Sequence, residues 1–188
     1  EQKWNQKGIR VHNAIQTNGL CLNAEWARFL RENRFLVGLS LDGTQAVHDA
    51  YRVDAQGKGT FERVLAAARL LEREGVEFNI LSTVNLDVAQ QPEKIYYFFK
   101  KQKFRYLQFI PCLDEFRHAG EKPYSLTAEA YGEFLVRLFD LWYVDLRTGH
   151  PVSIRWFDNL ATMLAGYPPE SCGMAGCCSC YFMVEADG

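Results

Sequence analysis

Cys172, Cys177, Cys178 and Cys180 fall within nine residues, in the stretch SCGMAGCCSC. Thiolates converging on one centre hold zinc or an iron–sulfur cluster, and such sites commonly draw four of them from two or more chain segments. Adjacent residues such as Cys177 and Cys178 tend to point apart, so both are not expected on one metal. The tract reads as part of a metal site whose other ligands lie elsewhere. Cys21 and Cys112 belong to distant segments, and nothing in the sequence brings them here. Crowding four of six cysteines at one end is not how a disulfide framework spreads its staples, so reduced thiols fit better. A disulfide-paired or unliganded tail, or a structural zinc module, is the competing reading. CYFMVEA (180–186) has the composition of a strand, and Asp187-Gly188 is a two-residue hairpin signal whose return strand is expected beyond residue 188. His12, His48, His118 and His150 are scattered and are given no ligand role.

Composition narrows the function classes. With 48% hydrophobic and 23% charged residues and a net charge of −2, the chain lacks the basic excess of a nucleic-acid binder and the acidic bias of a disordered tail. No nucleic-acid partner is expected. The longest nearly uncharged apolar run, FLVGLSL at 35–41, is far shorter than the roughly 20 residues of a membrane span. No membrane partner is expected either. The start, EQKWNQKGIRV, lacks the apolar stretch of a secretory signal, which makes the cytoplasm the expected compartment.

The elements that must position any site alternate in type. Apolar runs of strand length lie at 9–16, 35–42, 76–85 and 104–111, mostly apolar on both faces as buried parallel strands should be. Between them lie helical patterns. In TFERVLAAARLLEREG the residues Phe61, Val64, Leu65, Ala68 and Leu71 form one stripe, with Thr60 placed to cap and Gly75 to terminate. Asn23 opens a helix over 23–33, Gln91 and Pro92 open another near 92–102, and Thr127 caps a longer one to about 147 with Tyr131, Phe134, Leu135, Leu138 and Trp142 inward. Four successive β-α units predict an α/β fold with a parallel sheet, doubly wound or a barrel arc. QTNG (16–19), SLDG (40–43), STVN (82–85) and IPCL (110–113) put polar or irregular residues at the C-terminal end of every strand, which favours one ligand rim over a crevice at a switch point. Turn chemistry and capping are the competing account for any one of these residues. Neither GxGxxG nor GxxxxGK[ST] occurs.

IQTNG (15–19), FLVGLSLDG with VHDAYR (35–43, 47–52), VEFNILSTVN (76–85), YLQFIPCLD (106–114), LFDLWYVD (138–145), VSIRWFDNL (152–160) and SCGMAGCCSC with VEADG form an ordered series over essentially the whole chain. In it the chain resembles the anaerobic sulfatase-maturating enzymes, radical S-adenosylmethionine (radical SAM) proteins with a cysteine-rich C-terminal extension called the SPASM domain. The resemblance implies part of a (β/α)6 partial barrel, about four β-α units over 1–166, followed by the start of the SPASM extension over 167–188. It implies an oxidoreductase that uses S-adenosylmethionine and [4Fe-4S] clusters to convert a cysteine or serine of a sulfatase polypeptide to Cα-formylglycine. The alternatives are another SPASM-type enzyme modifying a different peptide, and a non-catalytic metal-binding module.

The same resemblance implies roles for individual residues. Ser40 and Arg52 match positions that contact S-adenosylmethionine, a planar guanidinium being able to grip the methionine carboxylate with two hydrogen bonds. Leu113 matches a position bordering the adenine; on composition alone it is a core residue. Cys172 and Cys178 match ligands of an auxiliary [4Fe-4S] cluster, Cys177 and Cys180 have no assigned role, and Cys112 is expected as a buried strand-end thiol. The family's CxxxCxxC cluster motif and its proton-accepting aspartate match nothing within the 188 residues, so no catalytic residue is assigned and the chain alone is expected to be inactive. An isolated arc is also expected to leave two sheet edges unpaired, inviting aggregation or a covering partner.

Overall fold

The structure, a computed structural model, describes residues 7–115, 120, 122–170, 172–176 and 184. Five parallel strands, β1 (Ala14–Thr17), β2 (Leu36–Ser40), β3 (Phe78–Val84), β4 (Tyr106–Pro111) and β5 (Ser153–Ile154), lie side by side in chain order. A serial order contains no reversal and therefore no switch point. Because all five strands run in one direction, every strand ends on the same rim. The fifth strand was not expected: two residues carry no readable period.

The helices are α1 (Ala24–Glu32), α2 (Gln45–Tyr51), α3 (Phe61–Glu74), α4 (Leu86–Ala89), α5 (Pro92–Lys101), α6 (Ala128–Arg147), α7 (Arg155–Leu164) and α8 (Cys172–Ala175). Their ends follow local chemistry. Asn23 Oδ1 accepts from Trp26 N at 2.9 Å to start α1, and Thr127 Oγ1 accepts from Ala130 N at 3.1 Å to start α6. Gly75 closes α3 with φ of 71°, a conformation that a residue without Cβ adopts freely. The expected capping by Thr60 does not occur. Its hydroxyl donates to Arg52 O at 2.9 Å, and the first amide of α3, Phe61 N, donates instead to Asp49 Oδ1 at 2.8 Å.

A period of two divides the strands between two faces. Val37 and Leu39 of β2, Ile80 of β3, Leu107 and Phe109 of β4 and Ile154 of β5 point to the helices. They share one core with Leu30, Val64, Leu71, Tyr96, Phe99, Phe134, Leu138 and Trp142. Of the expected α3 stripe, Phe61, Val64, Ala68 and Leu71 are buried and Leu65 packs at its margin. In-register neighbours on the other face are Gln16, Gly38 and Asn79, then Ser40, Leu81 and Gln108, then Thr83 and Ile110. This second face is polar or small at most positions.

The first strand is shorter than the expected 9–16. Ile9 and Val11 are exposed, and the ladder starts at Ala14 opposite Leu36. The reason lies just before β2. Arg34, with φ of 53°, and Phe35 are still closing α1: their N–H groups bond Arg31 O and Leu30 O, so these two amides are not available to a ladder with residues 9–12. Among the described residues, β1 and β5 are the two edges of the sheet.

Candidate functional site at the strand ends

The C-terminal rim is built by residues with different local jobs. After β1, Gly19 N bonds Thr17 Oγ1 and Leu20 N bonds Asn18 Oδ1, both at 3.1 Å, so QTNG is turn chemistry. A Cβ at Gly19 would lie 2.7 Å from Leu39 Cδ1, which reserves the position for glycine. Ser40 ends β2, half-buried on the face away from the core helices and in register with Leu81.

Two residues on, Asp42 is buried and organises the rim. Its Oδ1 accepts from Thr83 N at 2.8 Å, at the end of the neighbouring β3. Arg52, the C-cap of α2, grips the same carboxylate as a fork, Nε to Oδ2 at 2.5 Å and Nη2 to Oδ1 at 3.1 Å. Nη2 also donates to Thr83 Oγ1 at 3.1 Å. Arg52 is therefore no free surface charge. Its two-bond grip is spent on Asp42, and what it leaves without a partner among the described residues is the Nη1 edge.

His48, fully buried on α2, joins the cluster from behind. Asp42 N donates to its Nδ1 at 3.3 Å, and its Nε2 lies 3.1 Å from Thr60 Oγ1. Burial pushes the imidazole below its ordinary pKa and the Arg52 charge pushes the same way, against the opposing pull of Asp42 and Asp49. A neutral ring results.

Leu113 follows β4 and is 84% exposed, which corrects the composition-based expectation of a core residue. Among the described residues nothing buries it, because the chain has left the sheet at Pro111. Cys112 is half-buried rather than buried, with burial raising its thiol pKa. Tyr51 sits at the same rim in edge contact with Tyr124, and its hydrogen bond to Asp87 pushes its pKa up to about 12.

Ser40, Arg52 and Leu113 thus share one rim across β2, β3 and β4. Cys172 opens α8, past a segment held on α7 by Glu170 N to Asn159 Oδ1 at 2.8 Å. Cys178 lies outside the described residues, as do Cys177 and Cys180. Among the described residues no group of three or more metal-ligating side chains converges. A cavity of about 910 Å³ opens at the opposite, N-terminal ends of the strands, lined among others by Leu36, Phe78, Tyr106, Arg155 and Glu170. It shares none of the rim residues.

The sequence gives none of Asp42, Thr83, His48 and Thr60 a site role: Thr60 reads as a helix cap, and His48 is given no ligand role. The SLDG and STVN strand ends pointed at the first two, but nothing in the string shows that they meet. What the rim offers chemically is a fixed guanidinium edge, a serine hydroxyl and an exposed leucine, which suits a ligand carrying both an anionic and an apolar part.

No protein-family model matches the chain. It is 51% identical over all its 188 residues to the cysteine-type anaerobic sulfatase-maturating enzyme of Clostridium novyi (strain NT), covering 50% of that protein. The Clostridium perfringens (strain 13 / Type A) cysteine-type enzyme is 46% identical over all of this chain and 51% of its own length. A serine-type anaerobic sulfatase-maturating enzyme of Bacteroides thetaiotaomicron is 36% identical, again over the whole chain and 48% of its own length. Among solved structures, native anSMEcpe with bound AdoMet superposes with a TM-score of 0.93 at 46% identity, over 100% of this chain and 51% of that one. The complex with AdoMet and the Kp18Cys peptide gives 0.94, over 100% and 52%. The chain spans about half the length of the curated relatives it matches.

Proposed function

We propose, from the premise that this chain corresponds along its whole length to half of an anaerobic sulfatase-maturating enzyme, that it supplies the S-adenosylmethionine-binding rim and one end of an iron–sulfur site to a radical enzyme making Cα-formylglycine. The substrate in this reading is a cysteine or serine of a sulfatase polypeptide. The observation that carries it is the Arg52 guanidinium, locked on Asp42 with its Nη1 edge left over among the described residues, on the rim that Ser40 and Leu113 share.

In this reading the Nη1 edge of Arg52 receives the methionine carboxylate, with one nitrogen rather than the full fork. Ser40 offers a hydroxyl to the ribose or amino group, and Leu113 covers the adenine edge with exposed apolar surface. The polar face of the sheet, with Gln16, Asn79, Thr83 and Gln108, is where backbone groups of a peptide would find partners. When bound, S-adenosylmethionine and its reducing cluster supply the hydrogen-abstracting radical. This chain's residues hold and orient the reactants.

Gly166, with φ of 88°, closes α7 before Pro168 and Pro169, which supports a domain boundary between 166 and 167. Beyond it, Cys172 and Cys178 are the thiolates proposed for an auxiliary [4Fe-4S] cluster. No described helix is long and apolar enough to cross a membrane. A cytoplasmic location is a separate part of the proposal.

The test uses the complete protein that contains this chain, purified and reduced without oxygen and incubated with a sulfatase-derived peptide and S-adenosylmethionine. Mass spectrometry should find the aldehyde in the peptide and 5′-deoxyadenosine in solution. An unmodified peptide beside intact cofactor, or a protein carrying zinc with neither iron nor sulfide, overturns the reading.

A further inference from the structure

We propose that Asp42, His48 and Thr60 are positioning residues that fix Arg52 so that its Nη1 edge stands ready for the carboxylate of the bound cofactor. The inference rests on the functional reading above and adds to it the machinery behind the arginine.

The argument is a closed ring of hydrogen bonds in which each proton has one place to be. The backbone N–H of Asp42 can only donate, so His48 Nδ1, 3.3 Å away, is the acceptor. The neutral imidazole therefore carries its proton on Nε2 and gives it to Thr60 Oγ1 at 3.1 Å. The Thr60 hydroxyl passes its own proton to Arg52 O at 2.9 Å, and Thr60 N also donates there at 3.2 Å. The Arg52 side chain then closes the circuit on the Asp42 carboxylate. Backbone and guanidinium of Arg52 are both fixed, from opposite sides, by groups that fix each other.

The loop that carries Thr60 back to Arg52 is tight for independent reasons. Val53 and Gly59 form an antiparallel bridge, and Asp54 Oδ1 accepts from Gln56 N at 3.0 Å and Lys58 N at 3.1 Å. Gly59 has no room for a Cβ, which would lie 2.3 Å from the Asp49 carboxyl carbon. Among the described residues, three of the five guanidinium N–H groups are committed inside the ring and at Thr83, and two remain on Nη1. A flexible arginine would have to be ordered by its ligand, whereas this one is ordered in advance.

The experiment measures equilibrium binding of S-adenosylmethionine and of decarboxylated S-adenosylmethionine to the complete, cluster-loaded protein, for wild type, Asp42→Asn, Thr60→Val and Thr60→Ser. Wild type should prefer the carboxylate-bearing ligand. Asp42→Asn and Thr60→Val should shrink that preference by about tenfold, the scale of one charge-assisted hydrogen bond, while the decarboxylated ligand binds as before. Thr60→Ser, which keeps the hydroxyl, should restore it. Should Asp42→Asn reduce the yield of folded protein, Thr60→Val carries the comparison. Equal weakening of both ligands, or an unchanged preference, overturns the positioning role while leaving the cofactor site intact. A wild-type protein that binds neither ligand, or both equally, overturns the cofactor reading first and this inference with it.

Discussion

Trp142 Nε1 donates to the backbone carbonyl of Val152 at 2.9 Å, both groups being buried. The bond ties the last turns of α6 to the residue that enters β5. Because β5 pairs with β4 over only two residues, it depends on such outside support. Trp142→Phe keeps most of the ring contact with Phe139 and Phe157 but strands the carbonyl. A loss of about 1–3 kcal/mol is expected, read by urea denaturation, together with faster amide exchange at Ile154. An unchanged midpoint would mean that water takes over the carbonyl.

Gly59→Ala should destabilise the rim loop although glycine's backbone freedom is not at issue. The new methyl group meets the Asp49 carboxylate, which must move, and Phe61 N at the start of α3 then loses its acceptor. The expected loss is about 1–3 kcal/mol by thermal or chemical denaturation. Asp49→Ala combined with Gly59→Ala should be much less than additive, since the first change removes both the obstacle and the cap.

Acid should weaken the fold through His48. The ring faces Asp42 beyond the end of β2, Asp49 on its own helix, Arg52 at that helix's cap, and Thr60 with Phe61 at the start of α3. Burial and Arg52 hold its folded pKa below the ordinary 6.5, whereas the unfolded chain takes up a proton at that value. Stability is therefore independent of this group above pH 6.5 and declines as pH falls below it. His48→Gln should flatten the decline of the denaturation midpoint between about pH 6.5 and 5.5. A wild-type midpoint constant over that window would contradict the buried neutral ring.

Leu113→Ala separates stability from binding. The side chain is 84% exposed, so stability should change by no more than about 0.5 kcal/mol. If Leu113 covers the adenine, affinity for S-adenosylmethionine falls up to roughly tenfold, the scale of the apolar contact removed. Equilibrium binding of the cofactor by the complete protein decides it.

Where local chemistry dictates structure, the sequence was readable. The α3 stripe, the Asn23 and Thr127 caps, the Gly75 stop and the shared rim of strand ends all follow from periods and side chains acting on their own backbone. What escaped depends on contacts between distant segments. QAVHDAY shows no helical stripe because α2 buries only Val47 and His48, yet it carries the histidine behind the rim and its C-cap is the rim arginine. Thr60 stands where a cap belongs, and its hydroxyl is diverted by Arg52 O, eight residues back. Leu113 has a core residue's chemistry and a surface position, because composition does not register where the chain leaves the sheet. The resemblance placed Arg52 at the rim, and only the fold reveals that Asp42 occupies its fork.

The serial order of the strands bears on how such a protein comes into being. Among the described residues, each of β2 to β5 pairs with the strand made just before it, so during synthesis each of these ladders can close as soon as its second strand emerges. Growth by accretion of this kind keeps each newly exposed edge as short-lived as the next stretch of translation.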